Sequence, residues 1–526
     1  MRVVSRKLAA VVATAALGVG LAACGSDSGS SGGSSDTIIR GTTDQPISLD
    51  PAGAYDLPSY DIIYNVYQNL VQFPPGETKP QPEAAESCDF KDDTTFECKM
   101  RQGNVFSDGS TVDADDVVFS FERNLGIADP NGASSLLANM KSIEAPDKDT
   151  VVFNLKEPDA TWPSVLATAS FAIVPKDGPN AFPEDKLQDD NNVVGSGRYT
   201  VQQYEPGQQT VMQANDNYKG EDPAQTNTAI IQYFDKASAL KLAVEQGDVD
   251  VAYRSLSPTD LEDLKGADGV NVVQGEGAEI RYLNFNLDLQ PGDDDAQKLA
   301  VRQAVAQTID RQSIVDNVYN GTVKPLYSMI PASLPYHTDA FKEKYGEPST
   351  DAAKKILDDA GVKTPVSLEI WWTPSHYGPS SGDEYAEIKR QLDSSGLFDV
   401  TLKSTEWNQY SEAAFTDKYP AYQLGWFPDY PDPDDYVGNF MSNTSFLNIH
   451  YDNPEVQKQL AIEKASTDDA TRQAAFAKIQ TISAEEAPNI PIWEGDQVAA
   501  VRDGVNGVED TFDPAFIFRF WLITKD

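Results

Sequence analysis

Several residue types and motifs are scarce in this 526-residue chain, and each scarcity closes off a class of chemistry. There are three histidines, His337, His376 and His450, scattered so that no HExxH or HxH arrangement exists. A metal site built on paired imidazoles therefore has no raw material. The three cysteines, Cys24, Cys88 and Cys98, form no CxxC, which removes zinc knuckles and dithiol redox centres. Lysine and arginine total 41 against 82 acids, a formal charge of −41. So acidic a surface repels phosphate backbones and anionic headgroups, so nucleic acid is not an expected partner. No nucleophile elbow, P-loop or GxGxxG before a helix occurs. With 82 acids some carboxylates fall close together by chance, so no single pair argues for hydrolysis. A binding role leads, with an exported hydrolase as the rival. A passive scaffold stands third, since the chain has no internal repeats.

What is present begins at the N-terminus. Met1 to Lys7 carries Arg2, Arg6 and Lys7 and no acid, followed by the apolar run Leu8 to Leu21. That run is shorter than the ~20 residues a membrane-spanning helix needs, and reads as an export signal. Its end, Leu21-Ala22-Ala23-Cys24, resembles a bacterial lipobox, in which the cysteine is lipidated and becomes the mature N-terminus. An ordinary signal peptide with a chance cysteine is the alternative. Residues 25–36 are ten glycines and serines out of twelve, a flexible tether with a reach of roughly 20 Å. The expectation is a signal peptide over 1–23, a tether over 24–36 and a protein moored to the outer face of the cell membrane by lipid at Cys24. No later apolar segment is long enough to span a bilayer, so the lipid would be the only attachment. The rest is too long for one core and suggests two or three lobes.

Cys88 and Cys98 bracket a segment, Asp89 to Glu97, that reads as two short strands joined by an Asp-Asp turn. A hairpin sets the cysteines opposite each other, so a structural disulfide is expected in an exported chain. For so short a loop it contributes about 2.5–3 kcal/mol in the chain-entropy view. Elsewhere helices and strands mingle, which argues α/β or α+β lobes rather than a sandwich. Strands are predicted at Thr37 to Gly41 and Thr150 to Leu155. Asp113 caps a predicted helix with Val117, Val118, Phe121 and Leu125 on one face. Further helices are predicted at Leu299 to Ile309, Asp351 to Ala360, Glu384 to Leu392 and Asp468 to Ile482.

Residues 103–123 read GNVFSDGSTVDADDVVFSFER, which resembles the signature of the extracytoplasmic solute-binding proteins of peptide ABC importers, the dipeptide/oligopeptide-binding family (bacterial family 5). The resemblance continues, in order, through Asp149 to Phe153, Gly195 to Tyr199, Ala243 to Asp250, Asn284 to Asn286, Arg302 to Val305, Ile309 to Arg311, Gly425 to Pro433 and Ala487 to Ile492. It implies a two-lobed α/β fold of the periplasmic-binding-protein type (class II) with an extra α/β domain inserted in the first lobe. The expected division is 37–70, 190–285 and 489–526 for the first lobe, 71–189 for the extra domain and 286–488 for the second lobe. The hinge is expected near 285 and 489. The implied partners are a peptide ligand and a permease of membrane and ATPase subunits. No cofactor, metal or catalytic residue is expected, and the chain is expected to act as a monomer. Oligosaccharides and metal chelates are the alternative ligands.

In this family the acid three residues after the Gly-Trp tryptophan receives a peptide's α-ammonium, a position held here by Asp429. A carboxylate suits the task because every peptide has a cationic N-terminus. Trp426 offers a flat wall for varied side chains or, equally, a core contact. The basic residue that in some relatives stands three before the tryptophan, and can meet a peptide carboxylate, is Gln423 here, which puts a carboxylate clamp at that point in doubt. Other expected ligand contacts are Thr43 and Asp44 after the first strand, Trp493 after Ile490-Pro491-Ile492, and Trp372. Trp371 and Trp372 alternate along a strand, so one of them is expected to reach the cleft. Trp407 is expected to pack in the core and His376 to face solvent.

Overall fold

The computed structural model describes residues 36–374 and 376–526; Cys24, the lipobox and the Gly/Ser tract to residue 35 lie outside them. Its spine is a sheet of eleven strands among the described residues. From one edge the order is Phe398–Ser404, Val366–Trp372, Ala421–Trp426, Val270–Phe285, Asn489–Arg502, Val251–Tyr253, Thr37–Thr42, Thr228–Tyr233, Gln209–Ala214 and Tyr199–Glu205, with Val323–Pro325 also paired to Asn489–Arg502. Two members are long. Val270–Phe285 and Asn489–Arg502 run antiparallel from Val270 opposite Arg502 to Asn284 opposite Asn489.

These two strands change neighbours along their length. Toward Arg502, Asn489–Arg502 pairs with Val251–Tyr253, next to the parallel pair Thr37–Thr42 and Thr228–Tyr233. Toward Phe285, Val270–Phe285 pairs with Ala421–Trp426. The sheet thus has two halves joined through one hairpin-like ladder. Between the halves the register slips, between Gly275 and Glu279. Glycines are needed here because a Cβ on Gly277 would run into the Gly495 carbonyl, and one on Gly275 into Phe512. The sequence placed the crossings near 285 and 489; the change of neighbours falls about the glycines instead. Residues 285 and 489 mark the far end of the ladder, inside the second half, because the long strands overshoot the junction.

A separate antiparallel sheet of four strands, in the order Ala85–Asp92, Thr95–Met100, Thr150–Leu155 and Met140–Asp147, sits within the first half of the chain. Cys88 lies directly opposite Cys98 in this ladder and the two are disulfide-bonded, with Cα atoms 4.1 Å apart. The helix Ala114–Ile127 begins with a capping box in which Asp113 and Asp116 satisfy each other's backbone N–H groups. Val117 and Phe121 are buried as expected, but Leu125 is exposed. The inward face turns through Ser120, Arg123 and Asn124 instead, because Arg123 reaches in to grip Asp50. This inserted unit shares one apolar cluster with the first half, through residues such as Phe121, Phe153, Trp162, Ile62 and Ile231. The second half has clusters of its own, one around Val301, Leu368 and Ile388 and another around Tyr282, Tyr422 and Phe440.

Several of the buried carboxylates are held by arginine partners. Arg123 binds Asp50 through two nitrogens, 2.9 and 2.5 Å, with both side chains at most 1% exposed. Arg40–Asp61, Arg198–Glu83, Arg519–Asp513 and Arg472–Glu463 repeat the arrangement. Breaking such a pair from one side strands a charge. Asp50→Asn is expected to cost about 3–5 kcal/mol of stability. Urea unfolding measures this, and a loss below about 1 kcal/mol would show that the pair is not the clasp between the helix and the first lobe.

Candidate ligand cleft

Two connected chambers of about 530 and 450 Å³ lie where the halves of the sheet face each other. Asp44, Arg254, His376, Tyr377 and Phe427 line both and mark their junction.

The larger chamber is built around the end of the strand Ala421–Trp426. Pro428, Pro431 and Pro433 stop that strand and lead into the helix Asp434–Met441. Asp435, in the first turn of this helix, accepts hydrogen bonds from the Asp429 N–H and the Trp426 Nε1–H, both 2.9 Å. The loop is therefore pinned to the helix, and Asp429 is aimed across the cleft, where Tyr55 donates its hydroxyl to Asp429 Oδ1 at 2.6 Å. Aromatic rings make the walls. Trp426 meets Phe440 edge-on at 5.2 Å and Phe446 at 5.9 Å, and Trp407 stacks on His376 at 3.6 Å.

Asp429 and Asp435 are a carboxylate pair with no arginine or lysine against them among the described residues. Burial pushes the Asp429 carboxyl up to about 6. Burial first, and then the Asp429 charge, hold Asp435 well above the carboxylate range. The pair therefore retains protons that separate surface carboxylates would have lost.

The smaller chamber is more polar. Thr43 and Asp44 follow the strand Thr37–Thr42, with the Thr43 N–H donating to Ser255 Oγ at 3.1 Å and Asp44 paired to Arg254 Nε at 3.3 Å. Arg281 is ion-paired to Glu279 and lies between the rings of Tyr377 (4.3 Å) and Trp493 (4.9 Å). It rests where Gly425, its partner across the ladder, has no side chain. Trp493 lines this chamber while its Nε1–H donates to the buried Glu384 at 2.8 Å.

Of the residues singled out from sequence, Asp429 and Trp426 come together in the aromatic chamber, and Thr43, Asp44 and Trp493 in the polar one. Trp372 lines neither chamber; it packs on the second half's core beside Gly382. Trp371 turns to the opposite face and stacks on Tyr419 at 4.2 Å, so the alternation holds but sends neither ring to the cleft. Gln423 is fully buried, accepting from the Thr373 N–H at 3.3 Å, and does not line the cleft. Trp407 and His376, expected in the core and in solvent, instead form a stacked wall of the cleft. Tyr55, Phe427, Arg254 and Arg281 were not singled out. Arg281, a charge set between Ile280 and Tyr282, was the readable signal; nothing in the sequence around Arg254 announced it.

Two halves of a sheet sharing a pair of long strands, with a ligand-sized cleft walled by both, define a two-lobed solute-binding protein. The chain belongs to the bacterial extracellular solute-binding proteins, family 5, whose profile matches residues 79–448. Members of this family are binding proteins of transport, and the chain is accordingly not an enzyme. It is 25% identical over 475 residues to the dipeptide-binding protein of Escherichia coli K12, covering 84% of this chain and 86% of that one. Heme-binding protein A of Haemophilus influenzae is also 25% identical, covering 95% of this chain and 96% of that one. The crystal structure of a dipeptide-binding protein from Pseudoalteromonas sp. SM9913 in complex with Met-Leu has the same fold, with a TM-score of 0.76 and 22% identity, covering 93% of this chain and all of that one. Equal identity to relatives named for different ligands means that the ligand must be argued from the cleft.

The carboxylate pair sets a pH dependence. In the unfolded chain both acids lose their protons near the ordinary carboxylate value, whereas the folded protein keeps protons up to about 6 or beyond. The folded state therefore binds more protons in this window, and the pair's contribution to stability falls as pH rises through it. Asp435→Asn removes one of the two raised carboxyls, and the decline between about pH 4 and pH 7 is expected to flatten. Denaturant titrations of both proteins across that range check it; parallel profiles would show that the pair is not coupled.

Proposed function

We propose that the protein is the lipid-anchored receptor of an ABC importer, binding peptides between its lobes and delivering them to a permease of membrane and ATPase subunits. The observation that carries the peptide reading is Asp429. Buried acids such as Asp50 and Glu83 are matched with arginine, whereas here an acid beside a second acid faces the cleft with only a neutral hydroxyl opposite it. A peptide's α-ammonium supplies the missing charge and stabilises the ionised form of Asp429 in a dry site. The aromatic walls then take the first side chains without demanding a particular one. Oligosaccharides could stack on the same rings, but they leave the carboxylate pair without a counter-charge.

The lobes are proposed as 37–70, 190–275 and 497–526 with the inserted domain 71–189, against 279–494, the hinge lying at the glycines 275–277 and 495. A ligand touching both lobes favours the closed state by its difference in affinity for the two. Contacts such as Tyr55 to Asp429 are then the inner edge of closure. As a monomer with one lipid at Cys24, the receptor stays near its permease while the Gly/Ser tether leaves the lobes free to dock.

Asp429→Asn is expected to weaken binding of short peptides by about 2–5 kcal/mol, roughly 30- to several-thousand-fold. Calorimetry with a peptide that copurifies with the protein is the test, and unchanged affinity overturns the role of Asp429. Replacing Cys24 with serine is expected to move the protein from the membrane fraction to the soluble one. Its retention on membranes after the substitution would overturn the lipid anchor.

A further inference from the structure

Asp429 accounts for the cationic end of a peptide; the anionic end needs a cation, and the position that could supply one on the same strand holds the buried Gln423. Three basic side chains line the cleft: Arg254, Arg281 and His376. Arg281 is committed. It pairs with Glu279, donates from Nη1 to the Ile280 carbonyl at 3.0 Å, lies between two rings and is 4% exposed. His376 is neutral, its imidazole pushed down to about 4 by the packing around it and then by the Arg281 charge.

Arg254 differs from both. Its Nε edge is held by Asp44, and its side chain is 28% exposed. Its terminal nitrogens donate no hydrogen bond to any described residue. Its guanidinium lies over Phe427, 5.1 Å from the ring centre, and borders both chambers. The backbone is bent to put it there. Arg254 and Ser255 have φ of 64° and 67°, a left-handed pair that side chains other than glycine rarely adopt. The turn is held by Thr43 N–H on Ser255 Oγ, so the chain leaves the strand Val251–Tyr253 and projects Arg254 into the cleft. An arginine steadied at Nε by a carboxylate, with its other edge open, presents a two-pronged donor matched to a carboxylate.

We infer that Arg254 receives the ligand's terminal carboxylate, so that the cleft selects peptides with a free C-terminus. The inference rests on the peptide reading above. It also gives the carboxylate a part in closure. Asp429 belongs to one half of the sheet and Arg254 to the other, so a ligand holding both ties the lobes together through its two ends.

The test is a mixture of di- to pentapeptides beginning with leucine or phenylalanine, each present as free acid, as C-terminal amide and as N-acetyl acid. It is offered to ligand-free protein, and bound species are read by native mass spectrometry. The variant is Arg254→Asn, because asparagine tolerates the left-handed backbone while removing the guanidinium. The wild type is expected to retain acids over amides by about ten- to a hundredfold, and the variant to retain both alike. Discrimination against N-acetyl peptides, which reports on Asp429, should persist in the variant. Equal retention of acid and amide by the wild type, or undiminished preference in the variant, overturns the role of Arg254 while leaving the peptide reading intact. Retention of no peptide by the wild type overturns both. Loss of all binding by the variant, N-acetyl discrimination included, shows a structural role and also overturns the inference.

Discussion

The ladder between Val270–Phe285 and Asn489–Arg502 is the interaction on which the rest of the molecule depends. Each strand belongs to both halves of the sheet, so their backbone hydrogen bonds carry the connection that a pair of loops would otherwise make. The register slips between Gly275 and Glu279 and again between Arg281 and Tyr282, and the glycines at the first slip let the two backbones approach without side chains between them. The glycine slip is where the proposed hinge would act. The ladder also delivers the site: Glu279 and Arg281 on one strand and Trp493 on the other project into the cleft within a few residues of the slip.

Charge distribution separates scaffold from site. In the scaffold, several buried carboxylates, among them Asp50, Asp61, Glu83 and Asp513, are neutralised by arginines, some of which also lie over aromatic rings, as Arg40 does over Phe518 and Arg198 over Trp521. In the cleft that pairing lapses. Asp429 faces Asp435, and Arg254 is only half satisfied. Those two shortfalls are charges that the protein alone leaves open, and the proposed peptide contacts rest on them.

How far the sequence could be read depended on how local each signal was. Asp113 and Asp116 form a capping box within one turn, and the spacing announced it. The hairpin between Cys88 and Cys98 was likewise legible from alternation and a turn. Order of motifs along the chain identified the family. Trp407 and His376 were misread because their stacking joins a helix to a distant loop, and neither residue's neighbours in sequence betray it. Trp372 was misread for the converse reason: alternation gives which face a residue takes but not what covers that face. The change of strand neighbours falls away from the expected crossings because strand length past a junction is decided by pairing with other strands.

The amino-acid sequence by itself determined the family of this protein, the hairpin that sets Cys88 opposite Cys98 and the loop that holds Asp429. Those depend on composition, short-range spacing and motif order, which are properties of the chain before it folds. Tertiary structure alone decided which acids would be buried without a cation, which tryptophans would line the cleft and which arginine would keep one edge free. Those are matters of what approaches from another part of the chain, and burial, not residue type, sets the charge a carboxylate prefers and the partner it lacks.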